Sequence, residues 1–170
     1  MPTHIALLRA VNVGGVQIKM DDLKRLCAEA GFGNVRTYIA SGNVILDSDL
    51  DEAGVKAELE ARLKAAYGRV IGVVIRSPGE MRALAAANPW PDRSPTFTVA
   101  IFLDAAPPAD ALDHATNVGA NEEMRLGPRE ILVFYGDGQG RSKLRIPAAA
   151  EGTARNFNTV VKLAEMASEG

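Results

Sequence analysis

Cysteine is nearly absent from this chain. Cys27 stands alone, so no internal disulfide framework holds the fold together. Histidine is almost as scarce. His4 and His114 are the only two, and neither sits in an HxH, HxxxH or HExxH spacing, which leaves metal binding without a ligand set. No apolar run approaches the ~18 residues that a membrane-spanning helix needs. Aromatic residues make up only 5% of the chain, and the runs Ile5–Leu8 and Val44–Asp47 hold none, which weakens the case for a sheet that displays base-stacking rings. The net charge of −2 argues against a general polyanion binder but allows a local basic patch. The start, Met1-Pro2-Thr3-His4-Ile5, has neither the basic residues nor the apolar stretch of a secretory signal, so a cytoplasmic location is expected. Neither GxGxxG nor GxxxxGK[ST] occurs, and no cofactor is expected.

The 170 residues are 47% hydrophobic and 24% charged, ordinary values for a globular protein. A chain of this length buries roughly 70% of its unfolded surface and folds without staples. Ile5–Leu8 reads as a buried strand ending at Arg9. Met20, Leu23, Leu26, Cys27 and Ala30 recur at helical spacing, and Gly31 stops that helix. Cys27 lies on its apolar side and reads as packing, not as a nucleophile. Val35–Ala40 and Val44–Asp47 are strands around Ser41-Gly42-Asn43, which reads first as a hairpin turn. A helix from Asp51 to Tyr67 follows, with a charged side that reads as a solvated face, and then a strand, Val70–Ile75. The order β-α-β-β-α-β is the split βαβ, or ferredoxin-like, plan.

Ser77-Pro78-Gly79-Glu80 has the form of a capping box opening a short helix. Trp90-Pro91-Asp92-Arg93-Ser94-Pro95 resembles a linker. Beyond it, Phe97–Leu103 and Ile131–Tyr135 read as strands, and Pro107–Ala115 as a helix. Ser142–Ile146 reads as a short strand, Pro147–Glu151 as a helical turn, and Ala154–Ala167 as the final helix. The expected class is α+β, with two ferredoxin-like halves packed together. The expected divisions are a half at 1–76, a connecting helix and proline-rich linker at 77–96, and a second half at 97–170.

Four segments jointly resemble one family. They are Leu7-Leu8-Arg9-Ala10-Val11-Asn12-Val13-Gly14-Gly15, Tyr38-Ile39-Ala40-Ser41-Gly42-Asn43-Val44-Ile45, Gly140-Arg141-Ser142-Lys143-Leu144 and Thr153-Ala154-Arg155-Asn156-Phe157-Asn158-Thr159-Val160. In this order and spacing they are similar to the bacterial family catalogued as domain of unknown function 1697. That pattern has Gly where this chain has Ala10, and often Trp where it has Phe157. The resemblance implies an α+β fold of ferredoxin-like halves and names no catalytic residue.

The best physical signal of a partner is a local inversion of charge. Over residues 141–155, Arg141, Lys143, Arg145 and Arg155 stand against Glu151 alone, a local charge of +3 in a net acidic chain. The alternative is an ordinary solvated basic face. Arg155, read as lying in the first helical turn, would oppose the macrodipole at a cost of about 0.3–1 kcal/mol. That invites either a bridging anion or an ion pair elsewhere. Asn156 is a candidate helix cap. The glycines of Asn12-Val13-Gly14-Gly15 let backbone N–H groups approach a ligand.

The leading expectation is therefore capture of an anionic small molecule, phosphorylated compounds included. The residues chosen are Arg9, Asn12, Gly14, Gly15, Ser41, Asn43, Arg141, Lys143, Arg155 and Asn156. The arginines would grip the anion, Gly14 and Gly15 would donate from the backbone, and the asparagines would orient it. A nucleic-acid-binding module and a protein-interaction scaffold touching partners around Trp90 remain as alternatives.

Overall fold

The computed structural model describes residues 1–11 and 16–169. It is α+β, with two four-stranded antiparallel sheets and, among the described residues, four α-helices. The chain forms two compact units, 1–82 with 162–170, and 83–161.

The first unit carries β1 (Thr3–Leu8), α1 (Met20–Glu29), β2 (Gly33–Tyr38), β3 (Asn43–Asp47), α2 (Glu52–Tyr67) and β4 (Val73–Arg76) in the expected order. The strands lie in the order β2-β3-β1-β4, with Ile5 opposite both Ile45 and Arg76. Side chains alternate across a strand, so Ala6, Leu8, Val44 and Leu46 share one face, which packs with Leu23 of α1 and Leu59 of α2 in one core.

Local chemistry sets the helix ends. Asp51 Oδ1 accepts from Gly54 N at 2.8 Å to start α2, and Gly68, at φ +72°, ends it. The charged side of α2 is more than a solvated face. Lys56–Glu60 and Arg62–Glu58 pair at one-turn spacing, and Glu60 also accepts from Val73 N at 2.9 Å, tying the helix to β4. The capping box before α3 (Pro78–Ala86) is formed in both directions, Ser77 N to Glu80 Oε1 at 3.0 Å and Glu80 N to Ser77 Oγ at 3.1 Å.

The second unit departs further from expectation. Its strands are β5 (Thr98–Phe102), β6 (Glu122–Leu126), β7 (Glu130–Tyr135) and β8 (Thr153–Asn156), in the order β6-β7-β5-β8. The helix expected at 107–115 is one 3-10 turn, Ala111–His114, because its apolar content is too small to bury a longer stripe. The strand expected at Ser142–Ile146 reduces to a single bridge between Arg145 and Thr116. Strand β6, Glu-Glu-Met-Arg-Leu, was not foreseen.

The last helix, α4 (Phe157–Glu169), starts three residues late because Thr153–Asn156 pairs with β5 as a strand. Its buried stripe is Phe157, Val160, Leu163, Ala164 and Ala167, while Val161 is exposed. Among the described residues, no helix is long and apolar enough to cross a membrane.

Strand order is therefore the same in both sheets: first, second, third and fourth strand of each unit lie as 2-3-1-4. The difference lies in what joins them. The first unit uses two α-helices, whereas the second uses 3-10 turns at Ala111–His114, Gln139–Arg141 and Pro147–Ala149.

Candidate functional site

The basic segment of the second unit is built from its turn upward. Gly138, at φ +89°, donates from its N–H to Tyr135 O at 2.9 Å and turns the chain out of β7. Gln139–Arg141 makes the 3-10 turn, and Ser142 Oγ then accepts from Leu144 N at 3.1 Å. Arg145 and Thr116 exchange both backbone hydrogen bonds, at 2.8 and 2.9 Å. This clamp holds Arg145 against Thr116, in a stretch whose ends, Ser142 and Ile146, are extended. Asn117 beside the clamp takes φ +56°, a left-handed conformation that Asn tolerates better than most residues.

Clefts open around this clamp. One of about 300 Å3 is lined by Asn117, Gly119, Glu122, Asp137, Arg141 and Lys143. A second, of about 530 Å3, is lined by Asn117, Ser142, Lys143, Leu144 and Arg145. A third, of about 480 Å3, shares Leu144 and Arg145 and continues over apolar side chains, among them Ile101, Ile146 and Pro147, with Tyr135. Arg141, Lys143 and Arg145 are exposed, and none of them forms an ion pair among the described residues. Two carboxylates line the first cleft with Arg141 and Lys143, each holding a neutral amide donor. Glu122 accepts from Gly119 N at 2.7 Å, and Asp137 from Asn121 Nδ2 at 3.3 Å.

Other sequence-chosen residues lie elsewhere or do other work. Arg155 is on β8, opposite Ala100, whereas Ala154, opposite Ile101, packs on the apolar face that floors the third cleft. Alternation therefore puts the Arg155 side chain on the other face of the sheet from Ile101. It is buried, its Nη1 donates to Ala154 O at 2.8 Å, and burial pushes its pKa down to about 10. The helix-dipole argument for Arg155 lapses, since it precedes α4. Asn156 Oδ1 accepts from Thr159 N at 3.1 Å and caps α4.

In the first unit, Asn43 is fully buried and donates through Nδ2 to Tyr38 O and to Ser41 Oγ, both at 2.9 Å. Ser41-Gly42-Asn43 is thus a self-braced turn between β2 and β3. Gly42 sits at φ +87°, where an added Cβ would fall 2.9 Å from Leu8 Cβ. Arg9 is exposed just past β1, and its N–H donates to Gly72 O at 2.9 Å. Asn12, Gly14 and Gly15 lie outside the described residues.

Cys27 is buried and its thiol is pushed up to about 12 by desolvation, which suits packing and not nucleophilic attack. His4 Nε2 lies 3.3 Å from Ser48 O, and His114 pairs with Asp110 at 3.2 Å. Among the described residues, no three His, Cys, Asp or Glu side chains gather as a metal site. Trp90 is buried, its ring 6.1 Å from that of Phe134, with Arg125 5.7 Å over it.

The structure thus brings Arg141 and Lys143 together and adds Arg145, Asn117 and Tyr135, which were not chosen from the sequence. Arg145 was legible in principle. Positions 143 and 145 are two apart, and in extended backbone that spacing points both side chains the same way.

Comparison with known proteins agrees with the architecture. The chain is similar to a solved structure described as the conserved bacterial protein SP0830 from Streptococcus pneumoniae, with a TM-score of 0.81 over 99% of each chain at 22% identity. At that identity the likeness shows the fold alone. No curated protein matches the sequence. A family model described as a protein of unknown function, DUF1697, matches residues 1–132, and the chain belongs to that family.

Proposed function

We propose that the second unit binds an anionic small molecule, phosphorylated or carboxylated, in the clefts around the Thr116–Arg145 clamp. We also read the chain as two diverged copies of the ferredoxin-like plan, a reading supported by the shared 2-3-1-4 strand order. One observation carries the anion reading: Arg141, Lys143 and Arg145 are set along one clamped segment with no carboxylate paired to them among the described residues.

In the second cleft Lys143 and Arg145 stand in a lining that holds no carboxylate, which favours an anion that bridges them. Arginine offers a fork of donors suited to two oxygens at once. The backbone clamp fixes where these side chains start, so less freedom is lost when the anion arrives.

The nucleic-acid alternative has less support. Strands β1, β3 and β5 are buried at consecutive positions and present no solvent-facing row of aromatic rings. The scaffold alternative is weakened by the burial of Trp90 against Phe134.

A thermal-shift titration with inorganic phosphate, phenyl phosphate and a short oligonucleotide tests the reading. A ligand at 100 times its dissociation constant adds about 2.7 kcal/mol, which raises the midpoint by roughly 5–10 °C in a protein of this size. Stabilisation by the phosphates that disappears in Arg145→Ala supports the site. Stabilisation only by the oligonucleotide, fading with salt, favours the nucleic-acid reading.

A further inference from the structure

We infer that the ligand is amphipathic: an oxyanion joined to an apolar aliphatic or aromatic body, with the body lying in the cleft over Ile101 and Ile146. This rests on the anion reading above and supplies the other end of the molecule.

The inference begins with the difference between the two sheets. In the first unit, the apolar face is covered by α1 and α2, which bury Leu23, Leu26, Val55, Leu59 and Leu63 against it. In the second unit, a sheet of the same strand order carries Val99, Ile101, Ile131, Val133 and Tyr135 on its apolar face. The segments that cover this face are short 3-10 turns and the stretch at 142–146, and beside Leu112, Leu144 and Ile146 they bring the small side chains Ala115, Ala148 and Ala149. Where that cover is small, space is left. That space is the cleft of about 480 Å3, within the size range of small-molecule sites.

The cleft has a wall, a floor and a polar mouth. At Gly152 an added Cβ would fall 2.5 Å from Ile101 Cγ2, so the backbone following Ala149 and Ala150 lies hard against β5 and bounds the cleft. Ile101 and Tyr135 contribute to its floor. Burial and the nearby Glu122 carboxylate push the Tyr135 pKa up, so its hydroxyl keeps its proton and remains a donor at neutral pH.

Leu144 and Arg145 line both this cleft and the polar one that holds Lys143. Arg145 therefore stands at the junction, with cations to one side and apolar surface to the other. A wholly hydrophilic anion would use only the cationic side. An anion with an apolar body uses both, and each methylene it buries strengthens binding about fourfold.

The test is isothermal titration of the full chain, at low salt, with inorganic phosphate and with ethyl, butyl and hexyl phosphate. Butanoate and hexanoate form a parallel arm, and hexanol is the tail-only control. Affinity is expected to climb by about fourfold per methylene until the cleft is full, in whichever arm carries the preferred oxyanion. Hexanol should bind far more weakly.

Ala149→Trp, which fills the cleft, should flatten the series and leave the affinity for inorganic phosphate unchanged. If that variant does not fold, Ala150→Trp, at an exposed position on the same wall, takes its place. Arg145→Ala should lower the whole series. Equal affinity for phosphate and hexyl phosphate overturns this inference and leaves the anion reading standing. A climb that persists unchanged in the tryptophan variant also overturns it, since the tail then binds elsewhere. No binding by any member overturns both.

Discussion

Thr116 and Arg145 exchange their backbone N–H and C=O groups, the bond to Thr116 N being 2.8 Å and the bond to Arg145 N 2.9 Å. The pair is an isolated bridge between segments that belong to no sheet, yet it decides where three cations stand. Its consequence is electrostatic as much as structural, because it fixes Lys143 and Arg145 beside the Asn117 loop.

The cations should matter for binding and little for stability. Each of Arg141→Ala, Lys143→Ala and Arg145→Ala is expected to weaken phosphate binding by about tenfold or more, since a charge-assisted hydrogen bond contributes about 1.5–3 kcal/mol. Thermal midpoints should move little, as exposed surface substitutions usually change stability by about 0.5 kcal/mol or less. Titration calorimetry and melting curves on the same samples check both halves. Binding should also weaken with added salt, because the site is open to solvent.

Ala10 should be improvable. It sits at φ +54°, a conformation that costs an L-residue with a Cβ roughly 1–2 kcal/mol, and it is the position where the family pattern has Gly. Ala10→Gly is expected to stabilise the protein by about 0.5–1 kcal/mol after the entropy of glycine is counted. The melting midpoint should rise by about 1–4 °C.

Arg36 should matter through a helix end. Its Nη1 donates to Met166 O at 2.6 Å, one of the last carbonyls of α4, whose own last turn contains no basic residue. A cation on a helix C-terminus is favourable. Arg36→Ala is expected to cost about 1–2 kcal/mol, read as a lower urea midpoint. Protection of the α4 amides against hydrogen exchange should fall with it.

Cys27 should be silent until the fold opens. Its pKa rises from 9.0 to about 12 through burial, so a thiol reagent at pH 8 should label it only after denaturation. The raised pKa has a pH signature. The folded state holds the proton that the unfolded thiol releases above pH 9, so the thiol's contribution to stability is complete below pH 9. It is lost as pH climbs through 12. Cys27→Ala should flatten that alkaline limb in urea midpoints measured between pH 8 and 10.5, whatever its cost at neutral pH.

Legibility in the sequence followed helical burial. The first unit could be read because α1 and α2 carry apolar side chains at spacings of three and four, and because β1 and β3 are continuous apolar runs. The second unit hid its topology. Strand β6 has two glutamates and an arginine among five residues, and β8 is Thr-Ala-Arg-Asn, so neither shows an apolar pattern. Both are strands because β7 and β5 offer them hydrogen-bonding edges, a tertiary cause invisible to local periodicity.

The same cause moved Arg155 from a supposed helix to a buried strand position and removed it from the cationic clefts. Asn43 and Asn156 were chosen for their polarity and spend it on the backbone. Arg141 and Lys143 were legible because residues 141–150 hold three bases and no acid. Neither forms an ion pair among the described residues, although Glu122 and Asp137 line the same cleft.

The most direct test is an amide-resolved NMR titration of the 15N-labelled protein with phenyl phosphate at low ionic strength. The account predicts saturable shifts centred on residues 117–119 and 141–146, weakened about tenfold or more in Arg145→Ala. Absence of saturable shifts, or shifts confined to other residues and unchanged in that variant, would contradict it.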